Sequence, residues 1–296
     1  MGPDALRLAD LQLTLENLGL EVQDSGNLPA QVPTNDAGLS NFTCALQNHT
    51  RLKKKVSSSL KAGRTPIVLG GDHSIAIGSI SGALDKFGED VAVLWIDAHA
   101  DINVPGNSPS GNLHGMILSA LVGLPSEAKG EKNAQWKQLL TDVVPAQRLR
   151  QRRIGWLGLR DVDSGERECI RSCKESYVAT MHDVDRYGLV MCLERLEGWL
   201  WASGATKLWI SFDVDSLDPI LAPGTGTAVR GGLSYREGHL IAELLHEALQ
   251  REDCPYSLIG MDLVETNPMF DNSNETAKMT VEWVASLFGK SILGPK

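Results

Sequence analysis

Along this chain, short apolar runs alternate with longer stretches in which apolar residues recur every three or four positions. The runs are Ile67–Leu69, Val91–Ile96, Ile154–Leu159, 177–181, 208–212 and 258–264. Each is short and largely apolar, the pattern of a strand covered on both faces in a parallel sheet. The periodic stretches predict helices over 3–18, 39–62, 75–87, from Gly115 onward, 166–174, 189–203, 236–252 and 275–288. The 236–252 stretch shows the pattern best, with Leu240, Ile241, Leu244, Leu245 and Leu249 on one stripe. Pro3 suits the first turn of the first helix, and Gly19 and Gly63 suit the ends of the first two. A further short strand is expected over 20–22, a polar loop over 24–35, and a surface insertion over the charged stretch 126–138. Alternating strands and helices argue for an α/β fold with a parallel sheet. With no repeat, linker or low-complexity segment, 1–296 is expected to form one domain.

Composition removes several function classes. Of 296 residues, 42% are hydrophobic, enough for a full core, and 28 basic against 37 acidic residues give a net charge of −9. A nucleic-acid or anionic-membrane partner is disfavoured by that balance. No apolar run approaches the ~20 residues that span a bilayer. The opening residues show no targeting pattern, and the expected location is cytoplasmic. The five cysteines are scattered, and Cys169 with Cys173 has no second pair or histidine nearby to make a zinc site. The basic run at 51–55 reads as a solvated helix face.

The informative chemistry collects just past the strands. In a parallel sheet, ligands bind beyond the carboxyl ends of the strands. Ile67–Leu69 runs into Gly70-Gly71-Asp72-His73-Ser74, and Val91–Ile96 into Asp97, His99 and Asp101. The 208–212 strand runs into Asp213 and Asp215. Spacing of two puts Asp97, His99 and Asp101 on one side of an extended backbone. Any one of these motifs alone also suits a capping histidine or a polar turn. Together they deliver two imidazoles and four carboxylates to one edge, where the carboxylates repel one another unless neutralised. Two divalent cations balance four negative charges, and oxygen ligands with some imidazole suit manganese, magnesium or iron(II). The glycines at 70–71 and 224–226 lack the remainder of a phosphate-loop or dinucleotide motif.

With these residues quoted, the chain resembles the ureohydrolases, and within them the arginases. The blocks that carry the resemblance are 70–74, 97–103, Ser110-Gly111-Asn112-Leu113-His114-Gly115, Gly158-Leu159-Arg160-Asp161-Val162-Asp163, 211–215 and Glu265-Thr266-Asn267-Pro268. The resemblance implies a three-layer αβα fold around a mostly parallel sheet of roughly eight strands. It also implies two Mn(II) ions per chain and hydrolysis of L-arginine to L-ornithine and urea by a metal-bridging hydroxide. By motif, one ion falls to His73, Asp97, Asp101 and Asp213, and the other to His99, Asp97, Asp213 and Asp215. His114 is implied as a proton shuttle and Glu265 as the partner of the guanidinium. The family also implies a strand ahead of residues 2–7, and a homotrimer or homohexamer.

Substrate choice in this family lies in the loop after Asp101. Arginases use neutral hydrogen-bonding groups there for the α-carboxylate, which agmatine lacks. Asn103, Ser108, Ser110 and Asn112 supply such groups, Asp163 is placed for the α-ammonium, and Thr227 lines the pocket. That set favours arginine. The alternatives are a ureohydrolase for another guanidino or formimino compound and an inactive, metal-binding regulatory homologue.

Overall fold

A computed structural model describes residues 1–29 and 32–294. Its centre is a sheet of six parallel strands in the order β1-β6-β5-β2-β3-β4. The strands are β1 (Ile67–Leu69), β2 (Val91–Ile96), β3 (Ile154–Leu159), β4 (Tyr177–Thr180), β5 (Lys207–Asp213) and β6 (Ser257–Val264). Eleven α-helices are found among the described residues: α1 (Gly2–Leu8), α2 (Leu11–Glu16), α3 (Phe42–Lys61), α4 (Ala76–Phe87), α5 (Ile117–Val122), α6 (Gly130–Asp142), α7 (Ser164–Ser172), α8 (Met181–Tyr187), α9 (Leu189–Ser203), α10 (Tyr235–Gln250) and α11 (Glu275–Leu287).

The two-residue period of the strands sorts side chains into two cores. Ala92, Leu94 and Ile96 join Leu208, Ile210 and Phe212 against α1, α2, α9, α10 and α11. Val91, Val93, Trp95 and Trp209 turn to the other face, against α3, α4, α5 and α6. Helices on both faces make the three-layer αβα architecture, and burial on both sides explains why β2 and β3 read as unbroken apolar runs.

The helix-flanked parallel sheet itself is as expected, with six of the roughly eight implied strands found among the described residues. Several local expectations are corrected. Among the described residues the 20–22 segment pairs with no strand: Leu20 is exposed, and its N–H returns to Leu15 O at the end of α2. The expected 3–18 helix breaks in two because Asp10 takes a left-handed conformation (φ 62°), which the short polar side chain tolerates. The 39–62 helix starts later, at Phe42, after Asn41 in the same conformation. The stretch over 126–138 is no surface insertion. Most of it belongs to α6, which buries Trp136 and Leu139, and Gln135 Oε1 accepts the buried Leu39 N–H at 2.8 Å. Of the loop over 24–35, residues 30 and 31 lie outside the described residues.

Candidate metal centre

The six ligand candidates meet at the carboxyl edge, around the central pair β2 and β5. Asp97 follows β2, and Asp213 ends β5. His73 opens a short helical turn after β1, and Asp72 caps that turn by accepting the Ser74 N–H at 3.0 Å. The segment beyond β2 is not extended, as the spacing argument assumed. It bends over 97–99, and Asp101 adopts φ 51°. This left-handed turn brings Asp101 back beside His73. Glu265, just past β6, is also left-handed at φ 62°. Such conformations in non-glycine residues are held by their surroundings and gather at functional sites.

Two clusters share Asp97. His73 Nδ1 lies 3.1 Å from Asp97 Oδ2, 3.4 Å from Asp101 Oδ2 and 3.0 Å from Asp213 Oδ2. His99 Nδ1 lies 3.3 Å from Asp97 Oδ1 and 3.1 Å from Asp215 Oδ2. The triads His73–Asp97–Asp213 and Asp97–His99–Asp215 each group their ligand atoms closely enough to hold an ion. His73 Nδ1 and Asp97 Oδ2 are buried and, though close, are not aligned for a hydrogen bond. Leaving such atoms unpaired in a protein interior is costly. A cation between them satisfies both, so the donor set fits a divalent metal.

Electrostatics in the ion-free centre point the same way. Burial alone would lower the His73 pKa, but contact with Asp97 and the charges of Asp97, Asp101 and Glu265 lift it to about 9. Burial opposes His99 as well, and Asp215 and Asp97 lift it to about 12. Asp101 and Asp213 are pushed up by burial and by neighbouring carboxylates, and Asp215 by burial and Asp97. Burial also works on Asp97, yet His73 and His99 hold its carboxyl below the usual range. Protons are therefore serving as the counter-charge that metal ions can replace.

Around this core the remaining candidates fall into four groups. Glu265 Oε1 accepts the His73 backbone N–H at 2.7 Å, and burial together with Asp72 raises the Glu265 carboxyl to about 7. His114 is half-buried, with Nδ1 3.6 Å from Asp72 Oδ2; Asp72, His114 and Glu265 form one rim cluster. Thr227 donates to Asp215 Oδ2 at 2.8 Å. Asn103, buried, donates to Asp163 Oδ2 at 2.6 Å. Ser108 and Ser110 accept backbone N–H groups of their own loop, from Gly111 at 3.1 Å and Asn112 at 3.2 Å.

Three supports escaped the sequence reading. Asp163 is the N-cap of α7 in a reciprocal capping box with Glu166, and buried Glu166 also accepts the Ile102 N–H at 3.4 Å. The D-x-x-E spacing was the available signal. Arg160 donates to the carbonyls of Gly158, Asp215, Ser216, Leu217 and Val229, tying the end of β3 to the loops that carry Asp215 and Thr227. Asp262, the single charged residue of β6, is wholly buried, and a charge inside an apolar strand was itself a signal.

Comparison with known proteins places this geometry in context. The model of the Arginase family matches residues 1–289. The chain is 39% identical over 299 residues to an arginase of Staphylococcus aureus, covering 99% of this chain and 92% of that one. It is 38% identical over 295 residues to an arginase of Bacillus subtilis, covering 99% and 93%. The crystal structure of arginase from Bacillus cereus superposes with a TM-score of 0.86 at 37% identity, covering 99% and 93%. That of Entamoeba histolytica arginase in complex with L-ornithine does so with a TM-score of 0.83 at 30% identity, covering 98% and 91%.

Proposed function

Because the chain belongs to the arginase family, we propose that it hydrolyses L-arginine to L-ornithine and urea at this centre. The observation that carries the reading is the convergence of four carboxylates and two imidazoles, with His73 Nδ1 and Asp97 Oδ2 buried and without an aligned hydrogen bond. The relative from Entamoeba histolytica, crystallised with L-ornithine, holds the product this reaction requires. We assign two Mn(II) ions, one to His73, Asp97, Asp101 and Asp213 and the other to His99, Asp97, Asp213 and Asp215. When bound, such a pair supplies Lewis acidity and an oxygen nucleophile at neutral pH, which a resonance-stabilised guanidinium requires.

The chain's own residues do the rest. Glu265 orients the substrate: a guanidinium beside it favours the ionised carboxylate that burial otherwise disfavours. Partly exposed His114 passes a proton to the leaving amine as the C–N bond breaks. Asp163 meets the α-ammonium, oriented by the Asn103 amide. Ser108, Ser110 and Asn112 face the α-carboxylate. We assign the whole chain to one domain, acting in the cytoplasm in arginine metabolism and urea-cycle chemistry as a homotrimer or homohexamer.

The test compares L-arginine with agmatine on the Mn-loaded protein. A site built for the α-carboxylate leaves its donors unpaired with agmatine. The expected preference in kcat/KM is at least about a hundredfold, or roughly 2.7 kcal/mol. Equal use of both substrates would sink the arginine assignment, and no urea from either would leave a folded, inactive homologue.

A further inference from the structure

Beneath His73 lies a group that none of these roles uses. Asp262 sits in register opposite Ser211 of the neighbouring strand, so the two side chains leave the sheet on one face. Trp209 shares that face, opposite Gly260; a Cβ at 260 would come within 2.2 Å of the indole, so glycine admits it. Trp209 Nε1 donates to Asp262 Oδ2 at 2.8 Å, and the Ser211 hydroxyl donates to the same oxygen at 3.4 Å. A serine hydroxyl has one proton to give. With that proton directed to Asp262, Ser211 offers only lone pairs to His73 Nε2, 2.9 Å away. The proton in that contact therefore belongs to the imidazole. Nε2 therefore keeps its proton in either charge state, and Nδ1, the nitrogen that faces Asp97, Asp101 and Asp213, is the one left to bind an ion. Trp95, stacked on the ring at 4.1 Å and 2°, fixes its plane.

We propose that Asp262 and Ser211 form a relay that sets the tautomer and orientation of His73, making both positioning residues for one ion of the centre. The inference rests on His73 being a metal ligand, as proposed above. Its effect is confined to that ion, because among the described residues His99 has no such support: its Nε2 lies 3.9 Å from the exposed Asp161.

Manganese titration of the metal-stripped protein by calorimetry, with bound metal counted after dialysis against graded chelator, tests it. Ser211→Ala and Asp262→Leu should each weaken one ion about ten- to hundredfold and leave the other within about threefold. The double variant should bind no worse than the weaker single, since both changes break one chain of contacts. Asp262→Asn keeps an oxygen acceptor for Trp209 and Ser211 and should restore most of the affinity. Equal weakening of both ions, additive losses, or an Asn variant as weak as Leu would each overturn the relay. A parent that binds two ions with variants that match it would defeat the relay alone. A parent that binds no manganese would defeat the centre as well.

Discussion

His73 and His99 address the same carboxylate from opposite sides, one at each oxygen of Asp97, and their surroundings differ sharply. The His73 side chain is 2% exposed, stacked on Trp95 and bonded through Ser211 into the sheet. The His99 side chain is 24% exposed, and its outer nitrogen faces an exposed aspartate. Around His73 most partners come from strands and strand ends, whose positions the two cores fix, and Asp101 comes from the turn beyond β2. Around His99 they include Thr227 and the loops held by Arg160. The inner half of the centre is thus continuous with the fold, and the outer half hangs on loops at its edge. A change in the inner half reaches the sheet, whereas a change at His99 is made closer to solvent.

Asp97 is where that contrast can be broken most severely, since both histidines depend on it. Asp97→Ala should abolish stable binding of both ions and lower urea production at least about a thousandfold, roughly 4 kcal/mol at 1.36 kcal/mol per decade. Asp101→Ala, which touches only the His73 side, and Asp215→Ala, which pairs with His99, should each leave one ion bound. Metal analysis of the three variants checks this. An Asp97→Ala protein that keeps one full ion would mean the halves do not share their carboxylate.

How much of this centre was legible depended on how local its cause was. His73, Asp97, His99, Asp101, Asp213 and Asp215 stood out because each follows a short apolar run, and strand ends in a parallel sheet share one edge. Their convergence was right for a partly wrong reason: an extended backbone was assumed, and a left-handed turn at Asp101 brings that carboxylate to His73. The strands were legible because β2 and β3 are buried on both faces. The stretch over 126–138 misled because its charges hide a stripe led by Trp136 and Leu139. Asp262 and Arg160 were the least accessible, because their roles come from register across β5 and β6 and from carbonyls of distant loops. Nothing local in the sequence encodes those partnerships.

Proton linkage sharpens the contrast in the metal-stripped protein. His73 is raised from 6.5 to about 9 and His99 to about 12, and Glu265 from 4.5 to about 7. A raised pKa means the folded state binds protons more tightly, so its stabilising effect is full below the unfolded value. It is lost as pH climbs through the folded value: first for Glu265 near 7, then for His73 near 9, while His99 stays charged. Asp97, held low, contributes in the opposite sense, but its contribution fades only as pH falls below the unfolded value of 3.8. Thermal unfolding of the stripped protein should therefore show Tm falling from about pH 5 to pH 9, with the inner half discharging before the outer. Added manganese should reduce or reverse that slope, because its ligands bind better once deprotonated. A metal-free Tm that rises across this range would contradict the picture of protons acting as stand-in cations.

The smallest effect is expected at Thr227, which supports the outer half as Ser211 supports the inner. Its hydroxyl donates to Asp215 Oδ2 at 2.8 Å from a half-buried position, and Asp215 also accepts the Ala98 N–H at its other oxygen at 3.2 Å. Thr227→Val keeps the shape and removes the donor. Asp215 is itself buried, but His99 Nδ1 remains 3.1 Å from the oxygen that loses its donor, so that oxygen is not left alone. The expected cost is about 1 kcal/mol, or roughly fivefold in affinity for the ion near His99, with the ion near His73 unchanged. Chelator competition on this variant beside Ser211→Ala gives the comparison directly. The inner substitution should cost more than the outer, and each should act on its own ion. A Thr227→Val protein that loses affinity a hundredfold, or loses the ion near His73 instead, would show that the edge is as rigid as the core and that the two halves do not respond independently.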